Sequence, residues 1–279
     1  MSTDRPGKLE LLLLASATAL LLLIGYALWD RASERSELRT IFADAGGTPS
    51  ERMRAAVKKI EADVDLALPD EYFLLPVFSR LRPTALQVYH GGGDCAYRAR
   101  LLIVALDEFD VEASKIAVYT AEDEPIHAIA QVDTERGRYI VDMYFNVVHE
   151  DERGDPIPLS DLADPATLRA SVQRAVDGGN ELARKYPFEK YALGNTRTIN
   201  WDESWPFRAV YWLGSRVVGE ETMRSLPRPR AAEEPQVMVA YAAGGMLATC
   251  LLFAFWLRRR RLRRVERRSG PDLEEDQGG

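Results

Sequence analysis

Three side chains of the 279-residue chain have the types and order for nucleophilic chemistry: Cys95, His127 and Asp142, separated by 32 and 15 positions. A thiol attacks as its thiolate, and with an ordinary pKa near 8.5 only about 3% is ionised at pH 7. Two features of the sequence favour ionisation. In HGGGDC the glycines let the backbone turn sharply and Asp94 can cap a helix starting near Cys95, so the thiol falls in a first turn, where unsatisfied N–H groups and the helix dipole stabilise negative charge. The second is a neighbouring imidazole. His127 begins the strand pattern HAIAQV, and Asp142 lies in the next, GRYIVDMYF, across the tight turn TERG. A hairpin of the two brings the carboxylate near the ring, which it can hold by the second nitrogen. Cys250, the other cysteine, lies in an apolar run, so Cys95 has no disulfide partner in its own region of the chain. Two cysteines also exclude a disulfide-stapled scaffold and any multi-cysteine zinc or iron–sulfur site.

The elements that must position these groups are marked locally. TPSE from Thr48 is a capping box with Pro49 at the first helical position, and Met53, Ala56, Val57, Ile60 and Val64 follow at helical spacing. Leu101 to Leu106 are all apolar, which predicts a central helix buried on most sides. Three strand patterns follow, EASKIAVYT, IHAIAQVD and GRYIVDMYF, an antiparallel meander. Beyond Val148 the chain reads as helical again. Asp164 with Pro165 opens a helix that Gly178 and Gly179 close, and Ser204 with Pro206 opens another through Val218. The fold class is therefore α+β, with a core over about 48–148, a helical part over 156–224, and SLPRPRAAEEP (225–235) as a linker.

GDCAYRARLLIVAL, HAIAQV and YIVDMY together resemble the transglutaminase-like superfamily of papain-type cysteine enzymes, in a bacterial membrane-anchored form, over roughly residues 85–146. The resemblance implies a papain/transglutaminase-like core, in which a central helix bearing the cysteine packs on an antiparallel sheet. It implies Cys95 as nucleophile, His127 as general base and acid, and Asp142 as the orienting group. Ile129 stands where the family often has tryptophan, and Met143 where proline often follows the aspartate, which leaves substrate class open. The implied reaction is acyl transfer from an amide through a thioester, resolved by water (protease or amidase) or by another amine (crosslinking). The Cys95 backbone N–H is one oxyanion donor, and Gln87 or Tyr89, just upstream of the glycines, is a candidate for the second. The competing reading is a catalytically silent binding or scaffolding module of an envelope assembly that keeps the fold.

Other residues read more plainly. His90 and His149 are surface or loop histidines, no metal-ligand spacing is present, and no cofactor is called for. Gly91 to Gly93 lack a following P-loop lysine and are a turn. Trp201, Trp205, Tyr211 and Trp212 read as core packing.

Around this domain, residues 11–29 and 235–257 contain no charge and are long enough as helices to cross a hydrocarbon core about 30 Å thick. The first exceeds the usual signal-peptide apolar stretch and lacks a convincing cleavage site, so it reads as an uncleaved anchor. Arg258 to Arg261, Arg263, Arg264, Arg267 and Arg268 follow the second run and predict a cytoplasmic C-terminus. Two spans then put both termini (1–10 and 258–279) in the cytoplasm and residues 30–224 outside the cell's inner membrane. Ala240, Gly244 and Ala248 form a small-residue stripe that could pack on Ala15 and Ala19. The acidity resides in the middle, net −10 over 30–235 against 0 for 1–29 and +3 for 258–279, which argues against nucleic acid as partner. A protein or peptide amide of the cell envelope is the expected substrate.

Overall fold

A computed structural model of the chain describes residues 7–74, 82–191, 193–201 and 205–268. In chain order its elements are helices α1 (Lys8–Ile41), α2 (Pro49–Asp63), α3 (Ala85–Gly91) and α4 (Cys95–Asp107). Strands β1 (Ala113–Tyr119), β2 (Pro125–Thr134), β3 (Gly137–Asp142) and β4 (Val147–His149) follow, then α5 (Leu159–Leu162) and α6 (Pro165–Asp177). Strand β5 (Thr196–Arg197) precedes α7 (Trp205–Val218), α8 (Glu220–Ser225) and α9 (Pro235–Arg268). The chain divides into two compact units, residues 1–30 with 236–279, and residues 31–235.

In the first unit, α1 and α9 carry apolar windows of which only 11% and 6% is buried, so neither is the hidden core helix of a soluble domain. Both are long and apolar enough to cross a membrane, which fits membrane association. The expected small-residue stripe is only partly covered: Ala240 and Gly244 are half-buried, Ala15, Ala19 and Ala248 are exposed, and no atom outside its own stretch of helix backbone lies within 4 Å of where a Cβ on Gly244 would stand. The buried positions are Ala17, Ala27 and Ala243, with Glu10 bound to Arg261 at 2.9 Å and Asp30 accepting from Gln236 at 3.2 Å. Polar pairs of this kind hold two helices without the close backbone approach that a glycine stripe permits.

The second unit is α+β around a five-stranded antiparallel sheet of order β4-β3-β2-β1-β5. The capping box at Thr48 forms as expected: its hydroxyl accepts from Glu51 N and the Glu51 carboxylate accepts from Thr48 N. Alternation then splits the sheet between two cores. Ala113, Ala130, Val132, Tyr139 and Val141 pack against α2, α3 and the wholly buried segment Leu101–Leu106 of α4, joined by Leu38 and Phe42 from the end of α1 and beyond. Ile116, Val118, Ile129, Ile140 and Val147 form a second core with Leu168 and Val172 of α6. Both faces of β2 are therefore covered, and its register is strongly specified.

Three differences from the sequence reading bear on the site. Strands β4 and β5, too short to show a period, extend the meander at its two edges. On β4, His149 is fully buried with its Nδ1 2.7 Å from the Ser171 hydroxyl, so it is a core residue and not a surface or loop one. The stretch 225–235, expected as a linker, carries the buried side chains of Arg228, Glu233 and Glu234. Charge pairing rather than apolar content buries it: Glu234 accepts from Arg31 at 2.8 Å and from Arg35 at 2.9 Å. Among the aromatics, Trp201 is buried as expected, whereas Trp212 is exposed beneath the Arg216 guanidinium. Ser204, the expected cap of α7, lies outside the described residues, as does the tail beyond Arg268.

Candidate active site

The start of α4 is fixed by two local devices. At Gly92 the backbone has φ +89°, and a Cβ there would stand 2.6 Å from the Ala67 carbonyl oxygen, so only glycine fits so close to the neighbouring loop. Asp94 then caps the helix, its Oδ1 accepting from the N–H groups of Ala96 and Tyr97 at 3.0 Å each. Cys95 is the first helical residue, and the cap takes the two N–H groups after its own.

The sheet brings the other two groups to that helix end. Ala130 of β2 pairs with Val141 of β3, so the register places Asp142 opposite Ile129 and makes His127 its diagonal neighbour on the same face. The His127 Nε2 lies 2.8 Å from Asp142 Oδ2, and both side chains are buried. Asp142 is itself held by the chain after β3: its Oδ1 accepts from Tyr144 N at 3.0 Å and Phe145 N at 3.2 Å. Cys95 and His127 line one cavity, which puts the thiol on the same wall as the imidazole. Burial opposes charge on the imidazole, but the Asp142 carboxylate and the Cys95 sulfur outweigh it and raise His127 to about 10. The ring is therefore cationic at neutral pH.

Aromatic side chains fix the plane of that ring. Tyr191 stacks on it at 4.4 Å and 15°, and Tyr144 meets it edge-on at 6.2 Å. Burial and the nearby Asp142 push the Tyr191 hydroxyl well above its ordinary range, so it stays protonated. A second histidine lies in the same core, but burial lowers His149 to about 4, which keeps it neutral.

The loop Tyr144–Asn146 is tied down from two sides. Arg98, buried one turn along α4 from Cys95, donates to the Asn146 side chain at 3.1 Å and to the Ile60 carbonyl at 3.3 Å. Asn180 donates to the carbonyl oxygens of Phe145 and Asn146, both at 2.9 Å. The helix that carries Cys95 and the loop that holds Asp142 are thereby joined.

The cavity has a volume of about 170 Å³ and is lined by Cys95, Ala96, Lys115, Ala117, Pro125, Ile126, His127, Ala128, Thr198, Asn200 and Arg228. It exists because small side chains meet there: Ala117 and Ala128 are cross-strand partners, and Ala96 follows the cysteine. Of the residues singled out in the sequence, Cys95, His127 and Asp142 are brought together. Gln87 and Tyr89 are not. The Gln87 carboxamide accepts from Thr84 N at 2.9 Å in a second capping box, and the Tyr89 hydroxyl donates to Asp63 at 2.6 Å, so each is committed away from the cavity. Residues that the sequence reading passed over, Lys115, Tyr191, Asn200 and Arg228, stand around the site instead. Only Lys115 carried a local signal, a charged residue alternating with Ala113 and Ala117 on the inward face of β1.

Comparison with protein-family models, curated proteins and solved structures finds no match for the chain.

Proposed function

We propose that the chain is a membrane-anchored, outward-facing cysteine enzyme of transglutaminase-like type that cleaves or transfers acyl groups from amides. The observation that carries this reading is that the His127 imidazole, held by the Asp142 carboxylate, shares one cavity with Cys95 at the start of α4. An imidazolium beside the sulfur, held by a buried carboxylate, is what an ion-pair nucleophile requires.

In the proposed reaction the Cys95 sulfur attacks the amide carbonyl carbon and forms a C–S bond while negative charge gathers on the oxygen. The Cys95 backbone N–H, left out of the Asp94 cap, is positioned to receive that charge. Collapse breaks the C–N bond, and His127 gives its proton to the departing amine. Water, or a second amine, then adds to the thioester and passes a proton to His127. The C–S bond breaks, and the thiolate and imidazolium are restored. Asp142 acts through His127, holding the ring and stabilising its charge throughout.

The arginine cluster after the second apolar run supports a topology with both termini in the cytoplasm and residues 31–235 outside the inner membrane. Envelope peptides and proteins are then the amides within reach.

Alkylation of the full-length protein in detergent, with Cys250→Ser to leave one thiol, tests the chemistry. Rapid iodoacetamide labelling of Cys95 well below pH 8, slowed in His127→Ala, is the expected result. Labelling that follows an ordinary thiol near pH 8.5 would leave only the binding-module reading.

A further inference from the structure

An acyl transfer at Cys95 leaves negative charge on the carbonyl oxygen, and Gln87 and Tyr89 are both committed away from the cavity. The Cys95 N–H accounts for one donor, so a second must come from the lining of the cavity. Among the polar side chains there, the Thr198 hydroxyl donates to the Leu226 carbonyl, and the Asn200 carboxamide oxygen accepts from the Tyr119 hydroxyl at 3.3 Å. Lys115 is placed differently. It is buried, and among the described residues it makes one ion pair, to Glu233 at 3.5 Å. That is long beside the usual 2.7–2.9 Å of a charge-assisted bond, and an ammonium has three donors to place. The side chain lines the same cavity as Cys95 and His127.

Strand alternation brings the lysine in from the side that the histidine leaves open. Lys115 pairs with Ala130 and shares its face with Ala113, both in the core that packs on α4. His127 shares its face with Ile129 in the opposite core, where its ring meets Tyr144 and Tyr191. Imidazole and ammonium therefore reach one cavity from opposite faces of the sheet. A carbonyl under attack by sulfur points its leaving group and its oxygen in different directions. With the leaving amine toward His127, the oxygen falls on the side of Lys115. Burial lowers Lys115 to about 7, with Glu233 opposing that change and Arg100, Arg228 and Arg82 adding to it. About half the molecules thus carry the cation at pH 7, and charge developing on an adjacent oxygen favours the protonated half.

We propose that the Lys115 ammonium is the second oxyanion donor for acyl transfer at Cys95. This rests on the reading of Cys95 as nucleophile and adds the group that meets the charge of the tetrahedral intermediate. A cation bonds an oxyanion about twice as strongly as a neutral donor does, and one held in place out of water needs no rearrangement when the charge appears.

Two reactions of the same thiol isolate that role. Alkylation by iodoacetamide displaces iodide from a saturated carbon and builds no oxyanion. Acylation by p-nitrophenyl acetate builds one: the Cys95 sulfur bonds to the carbonyl carbon and the C=O electron pair moves to the oxygen. On its return the C–O bond breaks, and p-nitrophenolate departs with that bond's pair. This leaving group needs no proton from His127, so both reactions depend alike on the thiolate. In the full-length Cys250→Ser protein in detergent, with the Cys95→Ala rate subtracted, Lys115→Met should lower the acylation-to-alkylation rate ratio at pH 7 by at least about tenfold. An unchanged ratio, even with both rates reduced, assigns the lysine a structural part beside Glu233 and overturns the proposal. So does a parent that iodoacetamide labels rapidly but the ester does not acylate. Slow, ordinary iodoacetamide labelling of the parent overturns the nucleophile reading, and this proposal with it.

Should Lys115→Met fail to fold, the pH dependence of the parental ratio decides. The charged groups that act on Lys115 are Glu233, Arg100, Arg228 and Arg82, and Cys95 and His127 share its cavity. Burial would raise Glu233, but Lys115, Arg228 and Arg100 hold it at about 2, so it stays ionised, and the guanidinium groups stay charged. Cys95 and His127 enter both rates alike and cancel. The ratio should then follow Lys115 alone and fall by about tenfold or more between pH 6 and 8.5, as the ammonium gives up its proton. A ratio constant over that range overturns the proposal.

Discussion

Asp142 spends its two oxygens on different tasks, and the difference can be measured. Oδ1 receives the Tyr144 and Phe145 N–H groups, and Oδ2 faces the ring. Asp142→Asn keeps an acceptor for the backbone but removes the charge that stabilises the imidazolium, so the fold should persist while Cys95 labelling at pH 7 falls by on the order of 10²-fold or more. His149 supplies the complementary test on stability. In the unfolded chain it binds a proton near pH 6.5, in the folded chain only near 4. Its contribution is therefore complete above pH 6.5 and is lost as pH falls through 4, about 3 kcal/mol in all. Thermal midpoints measured between pH 7 and 4 should drop more steeply in the parent than in His149→Gln. At this scale the sequence showed Cys95, His127 and Asp142, because chemistry and spacing coincide in three short blocks. Tyr191 was invisible: it stacks on His127 from a loop 49 residues beyond Asp142, and no local pattern announces such a contact. His149 was misread because its neighbours Glu150, Asp151 and Glu152 are polar, while the two-residue alternation that buries Val147 and His149 is only three residues long.

Among the elements, α4, β2 and β3 were legible because each carries its own start signal and period, and their arrangement follows from one hairpin. The tether that makes them a site was not. Asn180 accepts from Leu182 N and Ala183 N while donating to two carbonyls of the loop after β3, so one side chain after α6 sets the loop that positions Asp142. Asn180→Ala leaves those groups without partners and should cost about 2–3 kcal/mol. Slower Cys95 labelling should accompany the lower thermal midpoint, whereas a merely structural loss elsewhere would lower the midpoint alone. Gly92 makes the opposite kind of test. Alanine there meets the Ala67 carbonyl and a left-handed backbone at once, so Gly92→Ala should destabilise by more than the roughly 1 kcal/mol of an ordinary glycine replacement. The three-glycine run pointed to a turn. Which glycine was indispensable depended on a loop, Asp65–Ala67, that approaches from 25 residues earlier.

For the molecule as a whole, the two uncharged runs marked the two helices that are long and apolar enough to cross a membrane, and the proposed topology is open to a simple test. A reporter fused after residue 279 should be active only on the cytoplasmic side, and activity on the other side would invert the placement of the domain between the two apolar runs. Composition misled at the end of that domain. SLPRPRAAEEP has the prolines and charges of a tether, yet Glu233 and Glu234 are buried by the cations around them, an outcome that depends on Arg31, Arg35, Arg100 and Lys115 from distant parts of the chain. This has a practical side for anyone who wants the domain in solution. A version cut at residue 225 would strip the counter-charge from Lys115 and Arg100 and leave a cluster of buried cations to repel one another, and one begun at residue 42 would discard Leu38 and the Arg35 bonds to Asp107 and Glu108. The soluble form should therefore run from residue 31 through 235, keeping the polar turn next to each apolar run as part of the domain's body.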